Sequence, residues 1–123
     1  MAVSTGTVPG SFIGTSIVED TASNATPEDA ASSGGTLYQA YIDNSANSGQ
    51  VYLKLYEAVK GSVTVGTTPP SFILPCASSV SKQFNFPTGV AFSTALSFAT
   101  VTAGGTGGTG SPTSSVIVRL TLG

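Results

Sequence analysis

Few side chains in this sequence could do chemistry. None of the 123 residues is a histidine, which removes the commonest general base at neutral pH and the partner in Ser–His and Cys–His nucleophile pairs. The carboxylates are the neighbouring pairs Glu19–Asp20 and Glu28–Asp29, together with Asp43 and Glu57. We expect the pairs to be solvated groups in a flexible region, with no pocket to hold them in a catalytic geometry. The sequence therefore predicts that the protein is not an enzyme and has no cofactor.

Two further residues have both a chemical and a structural interpretation. Asp43, followed by Asn44, fits an Asx turn or a calcium ligand, and the turn is favoured because calcium needs six to eight converging oxygens. The single cysteine, Cys76, excludes an intrachain disulfide and fits a small buried hydrophobe in a protein made in a reducing cytosol. No metal site is predicted.

The composition limits the partners. Only 8% of the residues are charged, with four Lys plus Arg and a net charge of −2, so the basic stripe needed for nucleic-acid binding cannot be built. The apolar stretches are only a few residues long, and the first residues lack a basic start and an apolar core, so we expect neither a membrane span nor an export signal. A surface of Ser, Thr, Gly and Asn is typical of a protein partly covered in an assembly.

From Thr36 onward, short runs of β-branched and aromatic residues alternate with clusters of Gly, Pro, Asn and Ser. This pattern predicts an all-β fold, a single antiparallel β-sandwich over residues 36–123. Residues 37–43 and 51–56 are predicted to form a hairpin. Val51, Leu53 and Leu55 should face the core, with Tyr52, Lys54 and Tyr56 on the other face. A short strand is predicted within 62–70, where Pro69 and Pro70 stop it, followed by extended segments at 71–75 and 82–87, strands at 90–92, 95–102 and 115–122, and a turn at Pro87–Gly89. In the last strand, Val116, Val118, Leu120 and Leu122 should face the core.

Two segments read as surface elements. Residues 1–35 are predicted to be an extended N-terminal arm in which 11–18 adds a strand to a neighbour's sheet, although 26–31 also fits a short helix. The glycine-rich stretch 103–112 is predicted to be a mobile loop, or a loop ordered by a neighbouring subunit. The apolar and aromatic residues proposed as interface candidates are Phe12, Ile13, Ile17, Val18, Tyr38, Tyr52 and Tyr56.

A resemblance to a known class of proteins is carried by four stretches of the sequence. They are Tyr41-Ile42-Asp43-Asn44, the run 51–56 (VYLKLY), the run 63–69 (VTVGTTP), and the run 96–102 (LSFATVT) with the Gly-Thr loop and 111–115 (SPTSS) after it. These resemble small structural proteins of tailed phages and prophages. The resemblance implies a jelly-roll or immunoglobulin-like sandwich that binds and stabilises the capsid as a decoration or cement protein.

The same resemblance implies further properties. The partner would be the major capsid protein, and the location the capsid surface of a virion, after synthesis in the host cytoplasm. The protein is expected to be a homo-oligomer, taken as a trimer. Two alternatives stay open: a carbohydrate-binding or adhesive sandwich module, and a tail or neck component of the virion.

Overall fold

The described part of the chain is built from β-strands joined by turns. The computed structural model describes residues 3–7 and 16–123, and within them the only helix is a 3-10 turn at Lys60–Ser62. The strands are β1 (Val3–Thr7), β2 (Ser16–Ser23), β3 (Glu28–Ala31), β4 (Gly35–Asp43), β5 (Val51–Tyr56), β6 (Phe72–Cys76), β7 (Ser81–Phe92), β8 (Leu96–Val101) and β9 (Val116–Leu122).

These strands form two antiparallel sheets that pack face to face. Sheet A has the order β1-β2-β9-β4-β7, and sheet B has the order β3-β8-β5-β6. The predicted all-β antiparallel sandwich is confirmed. Sheet A has one more strand than sheet B, and the described side chains of β1, Val3 to Gly6, are all exposed. The first strand therefore projects beyond the sandwich with neither face covered by described residues.

The core lies between the sheets and follows the alternation of the sequence. Val51, Leu53 and Leu55 of β5 are buried in it as predicted, because successive strand residues point to opposite faces. The remaining buried members of this cluster are Val18, Leu37, Ala40, Ile42, Leu74, Cys76, Phe92, Leu96, Phe98, Val116, Val118, Leu120 and Leu122. All four predicted inward residues of β9 are among them.

The predicted hairpin of residues 37–43 with 51–56 is wrong, because β4 lies in sheet A and β5 in sheet B. The loop between them crosses from one sheet to the other, and the buried side chain of Asn44 holds it in place. The Asn44 amide donates to the carbonyls of Gly49 at 2.9 Å and Ala77 at 3.0 Å. The Asn47 amide donates to Asn44 Oδ1 and to the Ser114 carbonyl. These hydrogen bonds satisfy the buried polar groups of the loop that connects the two sheets.

The described part of the predicted arm belongs to the sandwich. β2 pairs with β1 on one side and β9 on the other, so both of its edges are used and it cannot add to a neighbour's sheet. Residues 28–31, which also fitted a helix, form the edge strand β3 beside β8. The boundary predicted at residue 36 is thus not a boundary of the fold. Phe12 and Ile13 lie outside the described residues.

Two local predictions also change. The short strand predicted within 62–70 is absent, because a 3-10 turn at Lys60–Ser62 and a turn at 65–67 occupy this part of the chain, and Val63 packs on Tyr56 and Ala99. The runs 82–86 and 90–92 belong to one strand, β7, and the register against β4 shifts between Leu37 and Gln39. The predicted turn at Pro87–Gly89 is the bulge that this shift creates, and Gly89 has a φ of +78° there.

Candidate interaction surface

The outward face of sheet A carries an aligned row of charged and aromatic side chains. Pairing places Glu19 of β2 opposite Arg119 of β9, and Arg119 opposite Tyr41 of β4. Arg119 Nε donates to Glu19 Oε2 at 2.5 Å, and the guanidinium carbon lies 5.1 Å from the centre of the Tyr41 ring. The hydrogen bond that Arg119 donates to Glu19 raises the pKa of Arg119. The guanidinium is therefore held between a carboxylate and an aromatic ring of its own chain.

A second group of polar side chains lies beside this row. Asn85 Oδ1 accepts hydrogen bonds from the amides of Gln39 and Gln83, each at 3.1 Å. On the other side, the Tyr41 hydroxyl donates to Ser81 Oγ, and Ser81 Oγ donates to Asp43 Oδ1, each at 3.2 Å. These side chains thus form a hydrogen-bonded network on β4 and β7 in which Asp43 is the charged member.

Asp43 confirms the predicted Asx turn. Its Oδ1 accepts from the backbone N–H of Ser45 at 3.0 Å, and hydrogen bonding to Ser45 lowers the pKa of Asp43. Across the described ranges, 3–7 and 16–123, no group of three or more His, Cys, Asp and Glu residues is arranged to hold a metal ion. The same part of the chain contains no helix long and apolar enough to cross a membrane.

An open groove of about 290 Å³ runs along this face next to β1. Ser4, Thr5 and Gly6 line one side, and Ile17, Glu19 and Arg119 line the other. Ile17 is 37% exposed and is the apolar element of the groove. The groove joins the projecting strand to the charged row, so the two form one continuous surface, which we term the sheet A face (Ser4, Gly6, Ile17, Glu19, Gln39, Tyr41, Gln83, Asn85 and Arg119).

The interface candidates from the sequence are distributed unevenly over the structure. Ile17 lies on the sheet A face, but Val18 is 2% exposed and belongs to the core, because adjacent strand residues point to opposite faces. Tyr38 is half-buried beside the bulge at Gly89, and Tyr52 is half-buried against Gly104. Tyr56 is 1% exposed. Val18 and Tyr56 are therefore unavailable to a partner, and their assignment as interface residues is wrong.

Tyr56 is buried because loops cover the outward face of sheet B. Lys54, on the same face of β5, is fully buried, and its ammonium donates to the carbonyls of Thr106 at 3.1 Å and Gly108 at 2.8 Å. The glycine-rich loop is thus held by contacts with its own sheet. Burial lowers the pKa of Lys54 and raises the pKa of Tyr56. The two hydrogen bonds of Lys54 could not be predicted from the sequence of β5, because its alternation alone predicts that the lysine is exposed.

The acidic pairs also have fixed positions. Glu28 forms an ion pair with Lys60 at 3.5 Å, and Asp29 Oδ1 accepts the backbone N–H of Lys60 at 2.8 Å. Asp20 is buried, and its Oδ1 accepts the backbone N–H of Ala22. The expectation that both pairs are solvated groups in a flexible region is therefore wrong, because β2 and β3 are strands of the sandwich.

The sequence did not single out Arg119, since a lone arginine in the last strand gives no sign of its neighbours. Its position beside Glu19 and Tyr41 depends on strand pairing across 78 and 100 residues of sequence, as Tyr41–Arg119 and Glu19–Arg119 respectively. Comparison with protein-family models, with curated proteins and with solved structures gives no match for this chain.

Proposed function

We propose that this protein is a non-enzymatic structural component of a phage virion, which binds the capsid as a decoration or cement protein through the sheet A face. Two grounds support the proposal: residues 37–122 resemble small virion proteins, and the sheet A face has the properties of a binding surface. The partner would be the major capsid protein, and the protein would act on the capsid surface after synthesis in the host cytoplasm.

The observation that carries the proposal is the preformed side-chain network on the sheet A face. Arg119 is held by Glu19 and Tyr41, and Asn85 is held by two glutamine amides. Side chains that are already ordered lose less conformational entropy when a partner binds. Arg and Tyr are also the residue types that contribute most to binding energy at protein interfaces. Such a face suits contact with a rigid shell, where many modest interactions are repeated by symmetry.

The experiment is co-sedimentation of the purified protein with capsids that lack it, together with negative-stain images of particles with and without it. Arg119→Ala should weaken binding to capsids by about tenfold, as expected for an interface arginine contributing roughly 1.4 kcal/mol. The matched control is Lys60→Ala. It also removes one cation from a surface ion pair with a glutamate, but it lies beside β3.

We expect the control to bind capsids as the unmodified protein does. Equal loss in both variants would show that net charge, not the sheet A face, governs binding. Protein that stays in the supernatant at all concentrations would reject the capsid proposal itself.

A carbohydrate-binding module is the second candidate, and one observation favours it. The half-buried ring of Tyr41 lies among the amides of Gln39, Gln83 and Asn85, which combines an amphipathic ring with hydrogen-bonding groups suited to hydroxyls. A glycan array with the unmodified protein and with Tyr41→Ala tests it. Saturable binding that the substitution abolishes would favour this candidate over capsid decoration.

A further inference from the structure

The two sheets have four edge strands, and three of them carry features that oppose strand addition. β3 is four residues long and contains Glu28 and Asp29. β6 contains Pro75, which has no N–H to donate. β7 contains Lys82 and Pro87 and is interrupted by a bulge. Short length, charge, proline and bulges are the means by which natural sheets keep their edges from pairing with other chains.

β1, with five residues, has no charge, no proline and no bulge. Its sequence is VSTGT, and it pairs with β2 in an unbroken register from Val3↔Asp20 to Thr7↔Ser16. Within the described residues it pairs only with β2. The side chains of Val3, Ser4, Thr5 and Gly6 are exposed, so nothing described blocks the approach of a further strand along its free edge.

We propose that the free edge of β1 binds β1 of a second copy of this chain, in an antiparallel pair with a two-fold axis at Thr5. In this register Thr5 faces Thr5 of the second copy, and Val3 faces Thr7. The two five-stranded sheets become one continuous ten-stranded sheet. Uncharged β1 strands do not repel each other, and Glu19, the nearest acidic side chain on the sheet A face, is already paired with Arg119.

The edges also decide which symmetry is available. A trimer made by strand addition needs β1 of one copy to meet a different edge of the next copy, because a cyclic trimer uses two different surfaces. Each of the other three edges is blocked. Pairing of β1 with β1 of a second copy uses the same edge on both chains and closes as a dimer. Strand addition therefore favours a two-fold dimer over the trimer predicted from the sequence.

The test is disulfide cross-linking of the purified protein without capsids. The axis brings the two Thr5 Cα atoms to about 4.5–5.5 Å, which is within the range a disulfide requires. Thr5→Cys should therefore give a covalent dimer under mild oxidation. Val3→Cys is the matched control on the same strand, because the two Val3 positions are offset by four residues, about 13 Å along the strands. The native Cys76 is buried and serves as the background in both variants.

We expect Thr5→Cys to cross-link at least tenfold faster than Val3→Cys. Equal rates would overturn the proposal, as would a monomeric mass for the unmodified protein at all concentrations in sedimentation velocity. A second pair of variants tests the edge without oxidation. Thr5→Lys should lower the dimer fraction at least fivefold, and Gln50→Lys, in an exposed loop, should leave it unchanged.

This inference does not depend on capsid binding, since neither assay contains capsids. If the protein is monomeric and Thr5→Lys abolishes co-sedimentation with capsids, the edge binds a shell protein and the second-copy proposal is rejected. If dimers form and capsids are not bound, the dimer stands and the capsid proposal fails.

Discussion

Replacing Lys54 measures what the buried ammonium contributes to the sandwich. The Lys54 ammonium has no solvent exposure and donates to the carbonyls of Thr106 and Gly108. Lys54→Met retains most of the apolar stem and removes the charge. The two carbonyls then lose their donor, and they regain hydrogen bonds only if the loop opens to water.

The magnitude follows from two opposing effects. A hydrogen bond to a charged group contributes roughly 1.5–3 kcal/mol to stability, but desolvation of the ammonium offsets part of this gain. We therefore expect Lys54→Met to lower the free energy of unfolding by about 2 kcal/mol. Lys54→Ala also removes about three methylene groups from a packed site, each worth about 0.8 kcal/mol. We expect a total loss of about 4 kcal/mol for that variant.

Urea unfolding gives the free energies, and hydrogen exchange locates the change. The Thr102 N–H donates to the Gly110 carbonyl at the base of the loop. Its exchange should accelerate in Lys54→Met, and exchange in the centre of β5 should follow only the global stability. A Lys54→Met protein as stable as the unmodified one, with the loop equally protected, would refute the reasoning. It would show that the two carbonyl bonds only balance the cost of burying the charge.

Two further predictions concern the same side of the sandwich. Gly108→Ala would place a Cβ 2.0 Å from the Ala103 carbonyl oxygen, so it should lower the free energy of unfolding in urea by about 2–3 kcal/mol. Gly107→Ala, whose Cβ meets nothing within 4 Å, should lower it by less than about 0.5 kcal/mol. Equal losses of stability in the two variants would contradict the predicted contact. The Tyr56 hydroxyl is buried without a hydrogen-bond partner in the described structure, so Tyr56→Phe should raise stability at pH 7 by about 1 kcal/mol. Because burial raises the pKa of Tyr56, the folded state keeps the proton, and its stability should fall as pH rises above 10 in the unmodified protein but less in Tyr56→Phe. A Tyr56→Phe variant that is less stable at pH 7 would indicate a hydrogen bond to that hydroxyl.

Much of the fold could be predicted because the inward faces of β5 and β9 carry alternating apolar residues. The alternation in β5 and β9 identified Val51, Leu53, Leu55 and the four inward residues of β9 without error. Alternation gives no information on which strands pair. For that reason residues 37–43 and 51–56 were predicted to be a hairpin, although they belong to different sheets.

The candidate site was less predictable for a related reason. Ile17 and Val18 are adjacent in sequence, but one is on the sheet A face and the other is in the core. Tyr56 and Lys54 lie on the outward face of β5 as predicted, and they are buried because the loop after β5 and the glycine-rich loop cover that face. A strand's own sequence specifies its two faces and not what covers them.

By itself, the sequence determined the all-β class, the inward residues of the central strands and the near absence of charge, because these depend on local alternation and composition. Only the tertiary structure decided that residues 16–31 are part of the sandwich, that Lys54 holds the glycine-rich loop, and that Arg119 lies between Glu19 and Tyr41. These arrangements depend on contacts between residues tens of positions apart. Backbone pairing and packing across the two sheets select such contacts, and no local pattern encodes them.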